Sequence, residues 1–231
     1  MSSRVSTTSP ASANSVLRGY APPEQVYDEY MLNTRQPRPH VQKFVQALNS
    51  IGRQTFETRW EQVQRSVQEN DFAYSGYIGE EDRPRPWELD ALPLLIQGKE
   101  WDAVSRALTQ RAQLLNMILK DLYGDQKLLK TGLLPPELFF SHTYFQRALH
   151  RHQPPDSCYL HFYAADLARS ADGQWWVLSD RTEAPSGVGF ALENRILVSR
   201  MLPEAFHQCH VERLAPFFIT AQKTLRNLAP Q

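Results

Sequence analysis

The sequence predicts an α+β protein, with a mainly helical N-terminal half followed by a region built around a β-hairpin. Three observations carry this. Apolar residues recur at three- and four-residue spacings from Val41 to Tyr123. After residue 150 the composition turns to β-branched and aromatic residues around an Asp-Gly turn. Helices come first and strands later. The resulting organisation is a disordered tail over 1–20, a mainly helical region over 21–150 and an α/β region over 151–231.

Residues 1 to about 20 are poor in hydrophobics. Pro22-Pro23-Glu24 suits a first helical turn and places Tyr27, Tyr30 and Met31 on one side, until the run Arg35 to His40 breaks the pattern. From Val41 the spacing predicts a helix through Phe44, Val45, Leu48 and Ile51, stopped by Gly52. A second helix is expected from about Thr55, with Phe56, Trp60, Val63 and Val67 as its stripe. Asp71 to Pro86 reads as loop or short strand. Trp87 to Gln97 carries five aliphatic residues whose pattern fits strand or short helix equally. Lys99 to Tyr123 is the strongest helix, with Trp101, Val104, Leu108, Ala112, Leu115, Ile118, Leu119 and Leu122 in one stripe and Gly124 as its cap. Pro135-Pro136 starts a short helix. Cys158 to Tyr163 and Gln174 to Leu178 have strand composition, with Ala171-Asp172-Gly173 as a turn between them. A last amphipathic helix is expected over Val211 to Leu228.

Lys plus Arg equals Asp plus Glu at 25 each. A balanced chain gives no electrostatic case for nucleic acid or an anionic membrane surface. No apolar run reaches the roughly 20 residues that span a bilayer. The N-terminus lacks the basic start and apolar core of a signal peptide, so a cytoplasmic protein is expected. Cys158 and Cys209 are too few for a disulfide-stapled scaffold and read as reduced thiols.

The chemistry-bearing stretch is Asp166 to Arg200. It gathers carboxylates at Asp166, Asp180, Glu183 and Glu193 with guanidinium groups at Arg169, Arg181, Arg195 and Arg200, beside Asn194 and a Pro-Ser-Gly turn. Hard carboxylate and amide oxygens suit Mg²⁺. Arg forks match phosphate oxygens, and the N–H groups of a Ser-Gly turn can accept an anion. Alternating acids and Arg also form solvated, salt-bridged surfaces, and composition does not separate the two readings. Ser186-Gly-Val-Gly189 is not a Walker loop, because no Lys and helix start follow it.

The string Asp180-Arg-Thr-Glu-Ala-Pro-Ser-Gly-Val-Gly-Phe-Ala-Leu-Glu-Asn-Arg195 resembles the hallmark of the circularly permuted ATP-grasp family, often labelled glutathionylspermidine-synthase-like. Tyr27 to Tyr30, Leu89 to Leu94, the Trp101 to Tyr123 helix, Leu134-Pro-Pro136 and the Asp166–Leu178 hairpin lie in the order that family leads one to expect. The resemblance implies a fragment of a circularly permuted ATP-grasp fold, and an ADP-forming carboxylate–amine ligase working through an acyl phosphate with ATP and Mg²⁺. By motif match it implies metal contacts at Asp180, Glu193 and Asn194, phosphate or acyl-phosphate contacts at Arg181 and Arg195, and backbone N–H groups from Ser186 and Gly187. Arg181 thus serves both nucleotide binding and catalysis. Position 179 is Ser where some relatives carry an acid, which removes one carboxylate from the expected Mg²⁺ site. Family members are much longer, so this chain is expected to be an N-terminal part, inactive alone and completed by a downstream chain. Its partners are then a nucleotide and a small-molecule or peptide substrate. The other reading is a non-enzymatic binding or assembly module that uses the Asp180–Arg195 loop.

His207-Gln-Cys-His210 invites a zinc reading, but no second ligand cluster at finger spacing accompanies it. The remaining histidines lack a nucleophile partner in a recognisable frame.

Overall fold

The computed structural model describes residues 16–17, 19–69, 73–74, 85–154 and 156–229. The expected tail (residues 1–15) and most of the 70–84 loop, with Phe72, Tyr77 and Arg83, lie outside the described residues. Along the chain run β1 (Met31–Asn33), β2 (Gln36–Pro37), α1 (Gln42–Ile51), α2 (Arg53–Glu69), β3 (Ala73–Tyr74), β4 (Arg85–Pro86) and α3 (Gly98–Tyr123). Then come α4 (Lys127–Lys130), α5 (Pro136–Phe140), a 3₁₀ turn (Arg147–Leu149), β5 (Ala164–Arg169), β6 (Trp175–Arg181), α6 (Val188–Met201), α7 (Pro203–Gln208) and α8 (Ala215–Leu228). Among the described residues the sheets are three antiparallel pairs, β1–β2, β3–β4 and β5–β6. This is the α+β mixture that the sequence predicts.

Packing divides the chain into two compact units that interleave in sequence. One comprises Met1–Ile96 and Gly187–Arg213, the other Gln97–Ser186 and Leu214–Gln231. The boundary near residue 150 therefore marks a change of composition rather than a change of unit.

The first unit holds the buried core. Val41, Phe44, Val45 and Leu48 come from α1 and its N-cap, Val63 from α2, and Leu197, Met201, Leu202 and Ala205 from α6, α7 and their junction. Phe56, Trp60 and Val67 pack against this cluster as the helical stripe of α2 requires. Arg59 of α2 donates to the Met201 carbonyl (3.0 Å) and to Glu204 (3.1 Å), which ties α2 to the α6–α7 junction. Gly52 stops α1 with φ 78°. The helix expected near Pro23 is absent. Asp28, which is buried, accepts the N–H groups of Tyr30 (2.8 Å) and Met31 (2.6 Å), and Arg38 Nε donates to its carbonyl (2.6 Å). A side chain that captures its own downstream N–H groups competes with helix formation, and the segment forms the β1–β2 hairpin instead. Trp87–Gln97 is neither strand nor helix up to its last residues. Pro93 interrupts it, its carbonyl accepts the Tyr30 hydroxyl, and Leu89, Leu92 and Leu95 still reach the core.

In the second unit the β5–β6 hairpin is anchored on α3. The Ser170–Gln174 turn closes it, with Gly173 at φ 87° and Gln174 N–H held by Asp172 (3.0 Å). The strand expected at Cys158–Tyr163 begins only at Ala164. The Asn116 side-chain oxygen on α3 accepts the N–H groups of Tyr159 (2.8 Å) and Leu160 (3.0 Å), so these backbone groups are engaged outside any ladder. Gly124 ends α3 where a Cβ would stand 2.7 Å from the Lys120 carbonyl oxygen, so a side chain there is sterically barred. Tyr123, at the last turn of α3, packs with Phe139, Phe145 and Tyr159 at centroid distances of 5.5–6.5 Å. The Val211–Leu228 helix begins later than expected, at Ala215, and the stretch before Pro203 forms α6.

Leu48 is fully buried. Truncating such a side chain removes its transfer free energy and leaves a cavity, at a cost of about 2–5 kcal/mol. Leu48→Ala is therefore predicted to lower the free energy of unfolding by that amount, read as a lower urea midpoint. An unchanged midpoint would show that α1 is not central to this unit.

Candidate functional site

The hairpin's placement follows from one irregularity. Trp175 and Asp180 are five residues apart, so strict alternation would put them on opposite faces of β6. The register pairs Ala165 with Asp180 and Asp166 with Ser179, then Leu167 with Val177, which leaves Leu178 as an extra residue. A bulge of this kind resets the alternation. Trp175, Val177 and Asp180 are consequently half-buried on one face, while Trp176, Leu178, Ser179 and Arg181 are exposed.

The inner face meets α3 at two polar contacts. At the N-terminal end of α3, Arg169 pairs with Glu100, and Trp175 Nε1 donates to the same carboxylate (3.0 Å). The Arg169 guanidinium lies 4.1 Å from the Trp175 ring centroid and keeps only 6% exposure. Three turns further along, Arg111 grips Asp180 in a bidentate fork, Nε to Oδ1 and Nη2 to Oδ2, both at 2.6 Å. The Tyr163 hydroxyl donates to Oδ1 at 2.6 Å. The spans match. Eleven helical residues from Glu100 to Arg111 rise roughly 16 Å, and five strand residues from Trp175 to Asp180 cover roughly 16 Å.

Arg111 beside Asp180 holds its carboxyl below the usual carboxylate range, with the Tyr163 hydroxyl adding to the effect. Desolvation, then the bond to Asp180, pushes Tyr163 up to about 12. An ionised carboxylate offers about four acceptor positions. Arg111 and Tyr163 fill two on Oδ1 and one on Oδ2. That leaves Asp180 room for one further bond, from Oδ2.

The residues that the sequence singles out are placed as follows. Arg181 lies on the hairpin face opposite Asp180 and pairs with Asp166 (2.9 Å), whose carboxylate also accepts the Ser179 hydroxyl (2.5 Å). Asp166 therefore stands away from Asp180. Ser186 is exposed and closes the first segment of one unit; Gly187 opens the second segment of the other as the N-cap of α6, with φ 101°. That left-handed conformation favours glycine. Among the described residues no side chain caps α6, and no acid lies in its first turn, which leaves outward N–H groups and the positive end of the helix dipole for an anion. Glu193, Asn194 and Arg195 are half-buried on α6. Glu193 and Asn194 precede the buried Leu197 by four and three residues and share its side of the helix, whereas Arg195 points away from it. Arg111, Tyr163 and Glu100 were not singled out by the sequence. The eleven-residue spacing of Glu100 and Arg111 on one helical stripe is the signal that identifies two of them.

A cavity of about 540 Å³ opens at the C-terminal end of α3, lined by Lys120, Tyr123, Arg151 and Tyr159 among others. Asp121, Asp125 and Lys127 also line it, so its charge is mixed.

The clamp has a defined pH signature. The folded value of Asp180 is depressed, so its stabilisation is present above the ordinary carboxylate value of about 3.9 and is lost as pH falls through the lower folded value. Tyr163 is raised, so its stabilisation is present below the ordinary value of about 10 and is lost as pH climbs towards about 12. Melting temperature followed against pH should show a shallower acid limb in Asp180→Asn and a shallower alkaline limb in Tyr163→Phe. Limbs identical to wild type in both variants would contradict the clamp.

Comparison with known proteins places this geometry in a family. The sequence model described as circularly permuted ATP-grasp type 2 matches residues 93–231. An uncharacterised protein of Mycobacterium tuberculosis is 32% identical over 212 residues, which cover 88% of this chain and 24% of the relative. One from Synechocystis is 28% identical over 208 residues, 90% of this chain and 43% of the relative. One from Mycobacterium leprae is 36% identical over 145 residues, 63% of this chain and 26% of the relative. The chain thus spans less than half the length of these relatives. With more than half of its residues matched, including α3, the β5–β6 hairpin and α6, the chain belongs to the circularly permuted ATP-grasp family, type 2.

Proposed function

We propose that this chain is the N-terminal part of an ADP-forming carboxylate–amine ligase, and that the segment from Asp180 to Arg195 is its polyphosphate-facing element. In this chemistry a substrate carboxylate oxygen attacks the γ-phosphorus of ATP, releasing ADP and leaving an acyl phosphate. An amine then attacks the acyl carbon, and phosphate and a proton depart as the amide forms. The observation that carries the reading is the family match over the stretch that contains β6 and α6. Asp180 is fixed at the end of β6, and Gly187 opens α6 with uncapped N–H groups and no acid in its first turn.

Asp180 suits magnesium, because its carboxylate is a hard donor held ionised with one acceptor position left. By motif match, Glu193 and Asn194 of α6 are the further oxygen donors of this proposal. When bound, Mg²⁺ clamps the phosphates and neutralises developing charge. Asp180 would hold it through Oδ2 alone, because Arg111 occupies the bidentate approach. The Gly187 region offers backbone N–H groups to a phosphate oxygen. Arg195 offers a fork to the transferred group, and Arg181 does so once it leaves Asp166. A downstream polypeptide completes the site in this reading, and the carboxylate substrate is a small molecule or a peptide.

A second reading draws on the same geometry. Asp180 and Arg181 are each satisfied by partners within the hairpin unit, as expected of a non-enzymatic assembly module. Mg·ATP binding separates the two. Measured by calorimetry on the chain, alone and with the downstream polypeptide supplied in trans, binding should tighten on completion. Arg195→Ala should then weaken it about 10–100-fold, the loss of one charged hydrogen-bonding group. A completed assembly with no Mg·ATP binding, or an Arg195→Ala variant that binds like wild type, would favour the assembly module.

A further inference from the structure

The segment that leads into β5 carries a cluster to which neither the ligase chemistry nor the family match assigns a role. Asp156, Cys158 and His161 place one ligand atom each within 4.8 Å of one another. Cys158 and His161 are half-buried and Asp156 is exposed. The loop that presents them is already organised. Asp156 accepts the Cys158 N–H (3.0 Å), Asn116 on α3 holds the next two N–H groups, and the Tyr159 hydroxyl donates to the His152 carbonyl (3.1 Å). The Asp156 oxygen used internally is Oδ1, which leaves Oδ2 available.

We propose that Asp156, Cys158 and His161 form a zinc-type transition-metal site. Thiolate, imidazole and carboxylate are the donors that zinc takes, at about 2.0–2.3 Å. A tetrahedral ion with those bond lengths holds its donors about 3.3–3.5 Å apart. Here the three atoms lie within 4.8 Å, so rotation of exposed and half-buried side chains gathers them. The Cys158 Sγ contacts the Leu160 carbonyl at 3.4 Å. Binding replaces that contact: the thiol proton passes to solvent and the thiolate takes the metal. Three protein ligands leave the fourth tetrahedral position to water. The set mixes sulfur and nitrogen, so it selects against the magnesium that serves the ligase chemistry. The ion would staple the loop two residues before Tyr163 and so steady the strand that brings that hydroxyl to Asp180.

Titration of the reduced full chain with Co²⁺ tests this. One equivalent should produce tetrahedral visible bands and a thiolate-to-cobalt charge-transfer band, and excess Zn²⁺ should bleach both. Cys158→Ser should lose the charge-transfer band, and His161→Gln should weaken binding at least tenfold. Cys209→Ser should bind as wild type does, which separates this site from the His207–His210 segment. One equivalent of Zn²⁺ should raise the melting temperature of wild type and leave that of Cys158→Ser unmoved. Circular dichroism of each variant checks that it is folded. Absence of the charge-transfer band, its survival in Cys158→Ser, or its loss in Cys209→Ser would overturn the assignment.

Discussion

The bidentate contact between Arg111 and Asp180 is the constraint on which the candidate site depends. It exists because three separate features of the sequence agree. α3 returns to the same face after eleven residues, which sets Glu100 and Arg111 in line. The extra residue at Leu178 shifts the alternation of β6, so Asp180 joins Trp175 on the inner face. Tyr163, just before β5, then reaches the same carboxylate. With regular pairing throughout, Asp180 would face outward and Ser179 inward, and the clamp would have no acid. Its partners are partly solvated, with side-chain exposures of 47% for Arg111 and 22% for Asp180. An exposed ion pair contributes little stability by itself. The value of the clamp lies in position: it fixes the strand end from which the Thr182–Ser186 connection departs.

That connection joins two chemically different elements. On one side are acids and guanidinium groups held in a hairpin by internal pairs. On the other is a helix that starts at a glycine with φ 101° and presents uncapped N–H groups. Each unit offers its own groups: the hairpin an anchored carboxylate, and α6 an open helix start with a half-buried guanidinium further along. The internal pairs of Asp180 and Arg181 also explain how such groups remain ordered without a ligand, since a buried or half-buried charge without a counter-charge is costly.

Legibility in the sequence followed the physics of each element. α1, α2 and α3 were readable because each carries a periodic apolar stripe, with a terminal glycine closing α1 and α3, and the hairpin because Asp172-Gly173 sits between aromatic-rich runs. The N-terminal helix was misread because the Asp28 side chain captures the N–H groups of Tyr30 and Met31, and periodicity does not register that competition. The Cys158–Tyr163 strand was misread for a related reason. Its composition is strand-like, but Asn116, more than forty residues away, takes its N–H groups. The segment from Asp180 to Arg195 was legible as a motif, whereas its partners Arg111 and Tyr163 were not. A bulge decides which face Asp180 occupies, and nothing in the local alternation of Trp175 to Arg181 announces it. The stretch before Pro203 hid α6 because its apolar residues are distributed around the helix rather than along one stripe.

The most direct test of this account is a double-mutant cycle between Arg111→Met and Asp180→Asn, read as melting temperature at neutral pH and again below pH 3. The account predicts that the two substitutions are coupled at neutral pH, so that the double variant loses less than the sum of the singles, and that the coupling fades in acid as Asp180 protonates. Strict additivity at both pH values would mean that the fork does not hold the hairpin, and the positioning of the candidate site would need another cause.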